Sequence, residues 1–140
     1  MECCTMDCFL NVISIKQHLF SGAIQKIHIT GYQGVLNIYP GHAPLLTMIR
    51  AGLLSIFTND NTQYLYVSRG ILEVQPFVIY VLPDEGCFLS DLKYDELIYQ
   101  KKQLSKSILQ VKDSEKKILQ RQLLDIVLKI KLINNYCNIS

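Results

Sequence analysis

The feature that most constrains this chain is the point at which its chain-breaking residues stop. All seven glycines and all four prolines lie before residue 87. Glycine permits backbone angles that other residues avoid and proline disrupts helix interiors, so together they favour turns between short strands. The stretch 87–140 contains neither residue. The chain therefore divides into a strand-rich part, 1–86, and a part, 87–140, that can form long helices.

The first part carries short runs of strand-forming side chains separated by turn residues. β-Branched and aromatic residues fill the runs, and Gly, Pro and Asn-Asp clusters separate them. The predicted strands are 9–15, 23–30, 35–39, 45–50, 53–58, 63–68, 71–75 and 77–82, with turns at Ser21-Gly22 and Ala51-Gly52. Turn signals at intervals of about eight to twelve residues are typical of an antiparallel β-sandwich or flattened barrel.

The second part has the apolar period of helices. Ser90 or Asp91 can cap a first helix, and Asp113 lies where a second one begins. Apolar residues recur at steps of three, four and seven: Leu97, Leu104, Ile108, Val111, then Leu119, Leu123, Ile126, Ile130 and Ile133. An antiparallel two-helix hairpin is the simplest arrangement of this pattern. The predicted fold is thus α+β in separate segments, an N-terminal antiparallel β-sandwich followed by a C-terminal helical hairpin.

A stiff loop interrupts the strands between Gly34 and Pro44. Pro40-Gly41 ends one strand, and an apolar run restarts at Leu45. The loop presents His42, but His18 and His28 offer no ligand spacing with it. A rigid, uncharged loop of this kind favours docking against another protein over chemistry.

Charge is unevenly distributed along the chain. Residues 1–88 contain four basic and six acidic side chains, whereas 89–140 contain ten basic and six acidic ones. The lysines of the second part are interspersed with acids and lack a dense basic face with aromatic platforms. We therefore expect a solvated helix surface and no nucleic-acid partner. No run of 18 apolar residues occurs, and the N-terminus lacks the basic and apolar regions of a signal peptide, so no transmembrane helix is predicted.

The reactive residue types do not form a catalytic or metal-binding pattern. The five cysteines, at positions 3, 4, 8, 87 and 137, have no disulfide-framework spacing. Cys3, Cys4 and Cys8 lack a second cluster that would complete a tetrahedral site. No Gly-x-Ser-x-Gly turn and no phosphate-binding glycine loop is found. We expect free thiols, no metal, no cofactor and no catalytic residues.

Three stretches, in this order, resemble one known family. They are Phe20-Ser21-Gly22, the loop 34–44 with its flanks, and Gly70-Ile71-Leu72-Glu73-Val74. On these motifs the chain is similar, from about residue 9 to residue 82, to the epsilon subunit of bacterial F-type ATP synthases. The resemblance implies a non-catalytic rotor subunit that couples the c-ring to gamma and the catalytic head during proton-driven ATP synthesis. It also implies a peripheral location at the cytoplasmic face of the bacterial inner membrane.

The resemblance further implies which residues make contacts. The domain 1–86 would dock to gamma and to the c-ring, and the hairpin 87–140 would be regulatory, extending along gamma to block ATP hydrolysis. The residues implied at the ring and gamma interface are Tyr32, Gln33, Gly34, Val35, Gly41, His42 and Ala43. Those implied to meet the catalytic beta and alpha subunits, as a basic face of the second helix, are Lys112, Lys116, Lys117, Arg121, Lys129 and Lys131.

Some family members bind ATP through a motif at the start of the first helix. That motif reads Ile or Leu, Asp, two variable residues, then Arg-Ala, whereas this chain carries Lys93 and Glu96 at the aspartate and arginine positions. An acid where a cation should meet a phosphate reverses the electrostatics. ATP is therefore expected to bind weakly or not at all.

Two other functions are compatible with the residues alone. One is a free β-sandwich adaptor that binds a partner helix through its hairpin, and the other, less well supported, is a hydrolase. Copurification with a multisubunit membrane complex would distinguish a stalk subunit from a free adaptor. Activity of the isolated chain would identify an enzyme.

Overall fold

A computed structural model describes residues 7–136, which form two compact units divided between Phe88 and Leu89. The strands of the first unit are β1 (Cys8–Ile13), β2 (His18–Ile24), β3 (Lys26–Gly31), β4 (Gly34–Ile38), β5 (Leu45–Phe57), β6 (Thr62–Val67), β7 (Gly70–Val74), β8 (Val78–Pro83) and β9 (Gly86–Phe88). The second unit has a short 3-10 turn, Leu89–Asp91, and the helices α1 (Tyr94–Ile108) and α2 (Asp113–Tyr136). This is the predicted fold class, a sandwich-like sheet followed by a helical hairpin.

The sheet is antiparallel except where β1 runs parallel to β8. Its strand order is β2-β1-β8-β7-β5-β3-β4, with β6 pairing β5 and β9 pairing β6. The long strand β5 joins the two halves, because its first part pairs with β7 and its second part with both β6 and β3. Alternate side chains of most strands face inward and form one apolar core, which includes Leu10, Ile29, Leu54, Leu72 and Val81.

Two predicted turns were wrong. Ser21 and Gly22 lie inside β2, where they pair with Asn11 and Leu10. Ala51 and Gly52 lie inside β5, which runs unbroken through both. Ile29 pairs with Leu54 whereas Gly31 pairs with Ile49, so β5 carries extra residues between these pairs and bends there. A glycine at the bend is buried close to Thr30, so the turn signal at Gly52 marks close backbone approach.

The predicted hairpin seam is confirmed at five of its nine positions, and the other four, Ile108, Val111, Leu119 and Leu123, are half-buried. Leu97, Ile126, Ile130 and Ile133 form a buried cluster, and Leu104 is half-buried against it. The predicted cap at Ser90 or Asp91 was wrong, because these residues belong to the 3-10 turn and α1 starts after Lys93, which makes no side-chain cap. A capping side chain is dispensable where tertiary packing holds the helix.

Cys8 is a free thiol that is fully buried in the sandwich core, and Cys87 lies half-buried in β9. Among residues 7–136 no group of three His, Cys, Asp or Glu side chains could hold a metal ion. Cys3, Cys4 and Cys137 lie outside the described residues. No helix in the described part of the chain is both long and apolar enough to cross a membrane.

Candidate functional site

The turn between β3 and β4 projects from the sandwich as a tight hairpin. Gly31 pairs with Gly34, so Tyr32 and Gln33 alone form the turn between them. Gly34 has φ +135°, a backbone angle that side-chain-bearing residues rarely adopt. Tyr32 and Val35 are 58% and 66% exposed. The turn therefore holds an aromatic and an aliphatic side chain in solvent on a backbone that glycine makes possible.

An arginine on the neighbouring strand stacks on this turn. The Arg50 guanidinium carbon lies 4.9 Å from the centroid of the Tyr32 ring. Arg50 directly follows Ile49, which pairs with Gly31 at the start of the bend in β5. A guanidinium at this distance from an aromatic ring is attracted to the ring's electron-rich face. The bend of β5 thus places a cation beneath the exposed tip.

A groove of about 420 Å³ opens beside the same turn. Leu36, Leu45 and Thr47 line it together with the turn residues. No carboxylate, amine or imidazole of the described residues lines this groove. The hydroxyls of Tyr32 and Thr47 line it, but no base beside them in the lining could activate either, so the groove suits shape-based and backbone contacts.

The loop residues Gly41, His42 and Ala43 lie on a separate element, after β4. Gly41 has φ +84° and donates its amide hydrogen to the carbonyl of Pro76 at 2.7 Å. The His42 ring nitrogen Nδ1 lies 2.7 Å from the carbonyl oxygen of Ala43. These bonds fix the loop against the turn between β7 and β8. His42 is therefore a locally bonded, half-buried side chain without a catalytic partner among the described residues.

A row of exposed apolar side chains crosses the outer face of the sheet. Met48 on β5 pairs with Ile71 on β7, and Ile71 pairs with Leu82 on β8. Their exposures are 56%, 46% and 39%. We call these three residues the outer row. Contiguous exposed apolar surface is uncommon on monomers and typically marks an interaction site.

The basic residues of the hairpin do not all share one surface. Lys112 precedes α2, and its carbonyl accepts the first amide bonds of that helix. Lys129 is half-buried, and its Nζ lies 3.0 Å from Asp125 Oδ2. Viewed down the axis of α2, with 3.6 residues per turn, four of the basic residues lie within a sector of about 140°: Lys116, Lys117, Arg121 and Lys131. Lys129 lies outside that sector. The predicted basic face is therefore smaller than the six residues named from the sequence.

The two departures from the nucleotide motif pair with each other. Lys93 Nζ lies 3.8 Å from Glu96 Oε1, and both side chains are mostly exposed. An ion pair of this kind contributes little stability because water screens it. It does, however, place a carboxylate next to the one cation that a phosphate could use at this position.

Sequence reasoning missed Arg50 and the outer row. Arg50 carried no motif, and its contact with Tyr32 depends on a bend that the predicted break at Ala51-Gly52 concealed. The outer row had a signal, because residues 45–49 are apolar on both faces of β5 except at Thr47. Such a run indicates a strand covered on both sides, and here one side is exposed.

Comparisons with known proteins agree with this geometry. The family model of the ATP synthase delta/epsilon chain beta-sandwich domain matches residues 7–88. The fold is similar to a chain in the cryo-EM structure of the Euglena gracilis mitochondrial ATP synthase OSCP/F1/c-ring region, with TM-score 0.74 and 14% identity over 97% of this chain and 84% of that one. It is also similar to a chain of the Tetrahymena thermophila mitochondrial ATP synthase central stalk and c-ring, with TM-score 0.52 and 10% identity over 64% and 69%. At these identities the solved structures establish the fold alone.

Proposed function

The chain belongs to the ATP synthase delta/epsilon family, and on that premise we propose that it is a non-catalytic rotor subunit joining gamma to the c-ring. The observation that carries this proposal is the exposed turn 32–35 on a sandwich whose described residues hold no catalytic constellation. A protruding, backbone-fixed turn is suited to transmitting torque, because it cannot yield by local rearrangement. In this proposal the subunit acts by binding its partners, and the catalytic residues belong to other subunits.

The turn and the outer row serve two different partners in this proposal. The turn meets the c-ring, and the outer row, with the loop 41–43, meets gamma. Burial of Met48, Ile71 and Leu82 against a coiled-coil partner would remove their apolar surface from water, which is the dominant favourable term in most protein association. The complex in turn holds the subunit peripherally at its membrane. The two mitochondrial structures do not test the bacterial origin, which stays a prediction from the sequence.

The hairpin carries the second part of the proposal, inhibition of ATP hydrolysis. Its cations Lys117, Arg121 and Lys131 are exposed, and Lys116 is half-buried with its Nζ 3.6 Å from Asp113 Oδ1. Together these four supply a surface for acidic segments of the catalytic subunits. The buried seam of the hairpin is small, which is expected of an element that exchanges one packing partner for another.

Binding of the tagged full chain to gamma and to the detergent-solubilised c-ring tests the docking proposal. Val35→Asp should weaken ring binding and leave gamma binding unchanged, and Met48→Asp should do the reverse. Each variant places a charge on a side chain that is more than half exposed, so folding, checked by circular dichroism, should be intact. Leu109→Asp, at an apolar site that follows α1 and is 83% exposed, is the control and should bind both partners normally.

Two results would contradict the docking proposal. Normal binding by both variants would place the interfaces elsewhere on the molecule. Failure of the wild-type chain to bind either partner would favour the free adaptor instead.

A further inference from the structure

The surface around the turn 32–35 carries one sign of charge. No Asp or Glu occurs between Asp7 and Asp60, so strands β1 to β5 contribute no carboxylate to it. Arg50 is the charged side chain that the structure places against the turn.

The Tyr32 ring holds the Arg50 side chain in place, and no carboxylate in the described part of the chain neutralises its charge. Its guanidinium is held 4.9 Å from the Tyr32 ring, while the ion pairs formed among the described residues join other side chains. Asp84 follows Pro83, which pairs with Gly70 opposite Ile49, but its carboxylate already lies 3.7 Å from Arg69. Glu73 pairs with Leu46, four residues before Arg50 on β5, or about 13 Å along the strand. That separation exceeds the screening length of about 10 Å at 0.1 M salt. The tip therefore presents a cation, an aromatic ring and an aliphatic side chain together.

This combination defines the chemistry of the surface that receives it. A neutral or basic surface closing over Arg50 would strip water from the cation without replacing its interactions, which is costly. A carboxylate would replace them with a charge-assisted hydrogen bond, in bidentate geometry if the guanidinium fork is free to align. From the proposed ring contact, on which this step rests, we infer that the c-ring surface that receives the turn carries a carboxylate pairing with Arg50.

An anionic lipid surface is the competing source of negative charge. Adsorption to lipid gains only about 1 kcal/mol per basic residue near the surface and normally requires several. The turn offers a single cation, since Lys26, at the other end of β3, lies six residues before Tyr32, or about 20 Å along the strand. A single arginine held in one position is better suited to pair with one carboxylate of a protein partner than to bind the spread-out charge of an anionic lipid surface.

Binding of the full chain to the solubilised c-ring at low and high salt tests the inference. Arg50→Glu should weaken binding about tenfold or more at 50 mM salt, and added salt should weaken the wild-type interaction. Lys16→Glu makes the same change in net charge in the β1–β2 turn and should bind as wild type does. Tyr32→Leu removes the ring that positions Arg50 and should lose part of the affinity.

The outcomes separate this inference from the docking proposal. Wild-type ring binding that Arg50→Glu leaves unchanged or strengthens would overturn the carboxylate and leave the ring contact standing. Arg50-dependent binding to phosphatidylglycerol vesicles, with unchanged ring binding, would assign the turn to lipid and also overturn it. If the wild-type chain does not bind the ring, the proposed ring contact is wrong. Binding to gamma would then test the rest of the proposed rotor function separately.

Discussion

Single residues in this sandwich are constrained most strongly where two backbones touch. A Cβ built on Gly70 would lie 2.2 Å from the carbonyl oxygen of Leu82 and 2.5 Å from the Cα of Pro83. Gly70 pairs with Pro83 across β7 and β8, so neither neighbour can rotate away as a side chain would. The glycine is required for close approach, since its φ lies outside the left-handed region.

Gly70→Ala should therefore destabilise the sandwich by about 1–3 kcal/mol, the usual cost of forcing an extra carbon into packed structure. Gly22→Ala is the matched control, because its Cβ would meet only the Phe20 ring at an ordinary 3.5 Å. That variant should stay within about 0.5 kcal/mol of wild type. Urea denaturation followed by circular dichroism measures both, and equal midpoints would contradict the backbone explanation.

The Cys8 thiol should be unreactive in the folded chain. Burial raises its pKa, so less of it is thiolate at any pH near neutrality, and the thiolate is the reactive form. Alkylation at pH 7.5, followed by peptide mass spectrometry, should modify Cys87 before Cys8. The urea-unfolded chain is the control, and there the two should react alike. Equal labelling of the native protein would show that the core opens faster than the reagent reacts.

The Lys93–Glu96 pair predicts weak nucleotide binding at the start of α1. The Glu96 carboxylate repels phosphate and partly neutralises Lys93, 3.8 Å away. Calorimetric titration of the full chain with ATP should show no saturable binding below ~100 μM, which corresponds to about −5.5 kcal/mol. A tighter dissociation constant would contradict this reading of the pair.

At the scale of elements, the sequence predicted structure that depends on local residue spacing better than structure that depends on which strands pair. The hairpin seam followed from spacing, because Leu97, Ile126 and Ile130 repeat at helical steps and are buried. The continuity of β5 did not, because a strand that exchanges neighbours midway needs a small residue where an isolated strand would end. The Arg50–Tyr32 contact depends on that bend and was beyond reach of local pattern. Tertiary pairing overrode the turn signal.

The hairpin should depend on its seam and tolerate changes on its outer side. Ile126→Ala removes a buried side chain at an expected cost of about 2–4 kcal/mol, enough to open a pair of helices that are marginal alone. Hydrogen exchange should accelerate across α1 and α2. Leu124→Ala, at a site 69% exposed, is the control and should leave exchange unchanged. Equal acceleration in both variants would mean that the seam is not what holds the hairpin.

At the scale of the whole molecule, each of the two units has its own apolar cluster, which suits the proposed division into a docking part and a regulatory part. Among residues 7–136, the sandwich core has sixteen buried residues, which fits a rigid docking body, whereas the hairpin cluster has four. Fold class could be predicted from the sequence because glycine and proline end where the sandwich ends. The partners could not, because interface chemistry depends on exposed side chains whose neighbours are set by strand pairing.

Truncation after Asp91 tests the division of labour. It removes both helices and leaves the sandwich core intact, so assembly into a reconstituted complex should persist and ATPase activity should rise. Replacing Lys116, Lys117 and Arg121 with glutamine in the full chain should reproduce part of that rise. Unchanged ATPase activity in the truncated complex would contradict the proposed inhibitory role of the hairpin and leave the proposed rotor role standing.

The parallel pairing of β1 with β8 sets the order in which the chain can fold during synthesis. Phe9 on β1 pairs with Val78 on β8. The strand β1 therefore cannot pair with β8 until nearly the whole sandwich has left the ribosome. Contacts between residues so far apart in sequence slow folding, and waiting strands expose open edges to other chains. The helices α1 and α2 follow the sandwich, and their shared seam joins neighbouring segments of the chain. A nascent chain stalled before β8 should thus require chaperones that the finished protein does not.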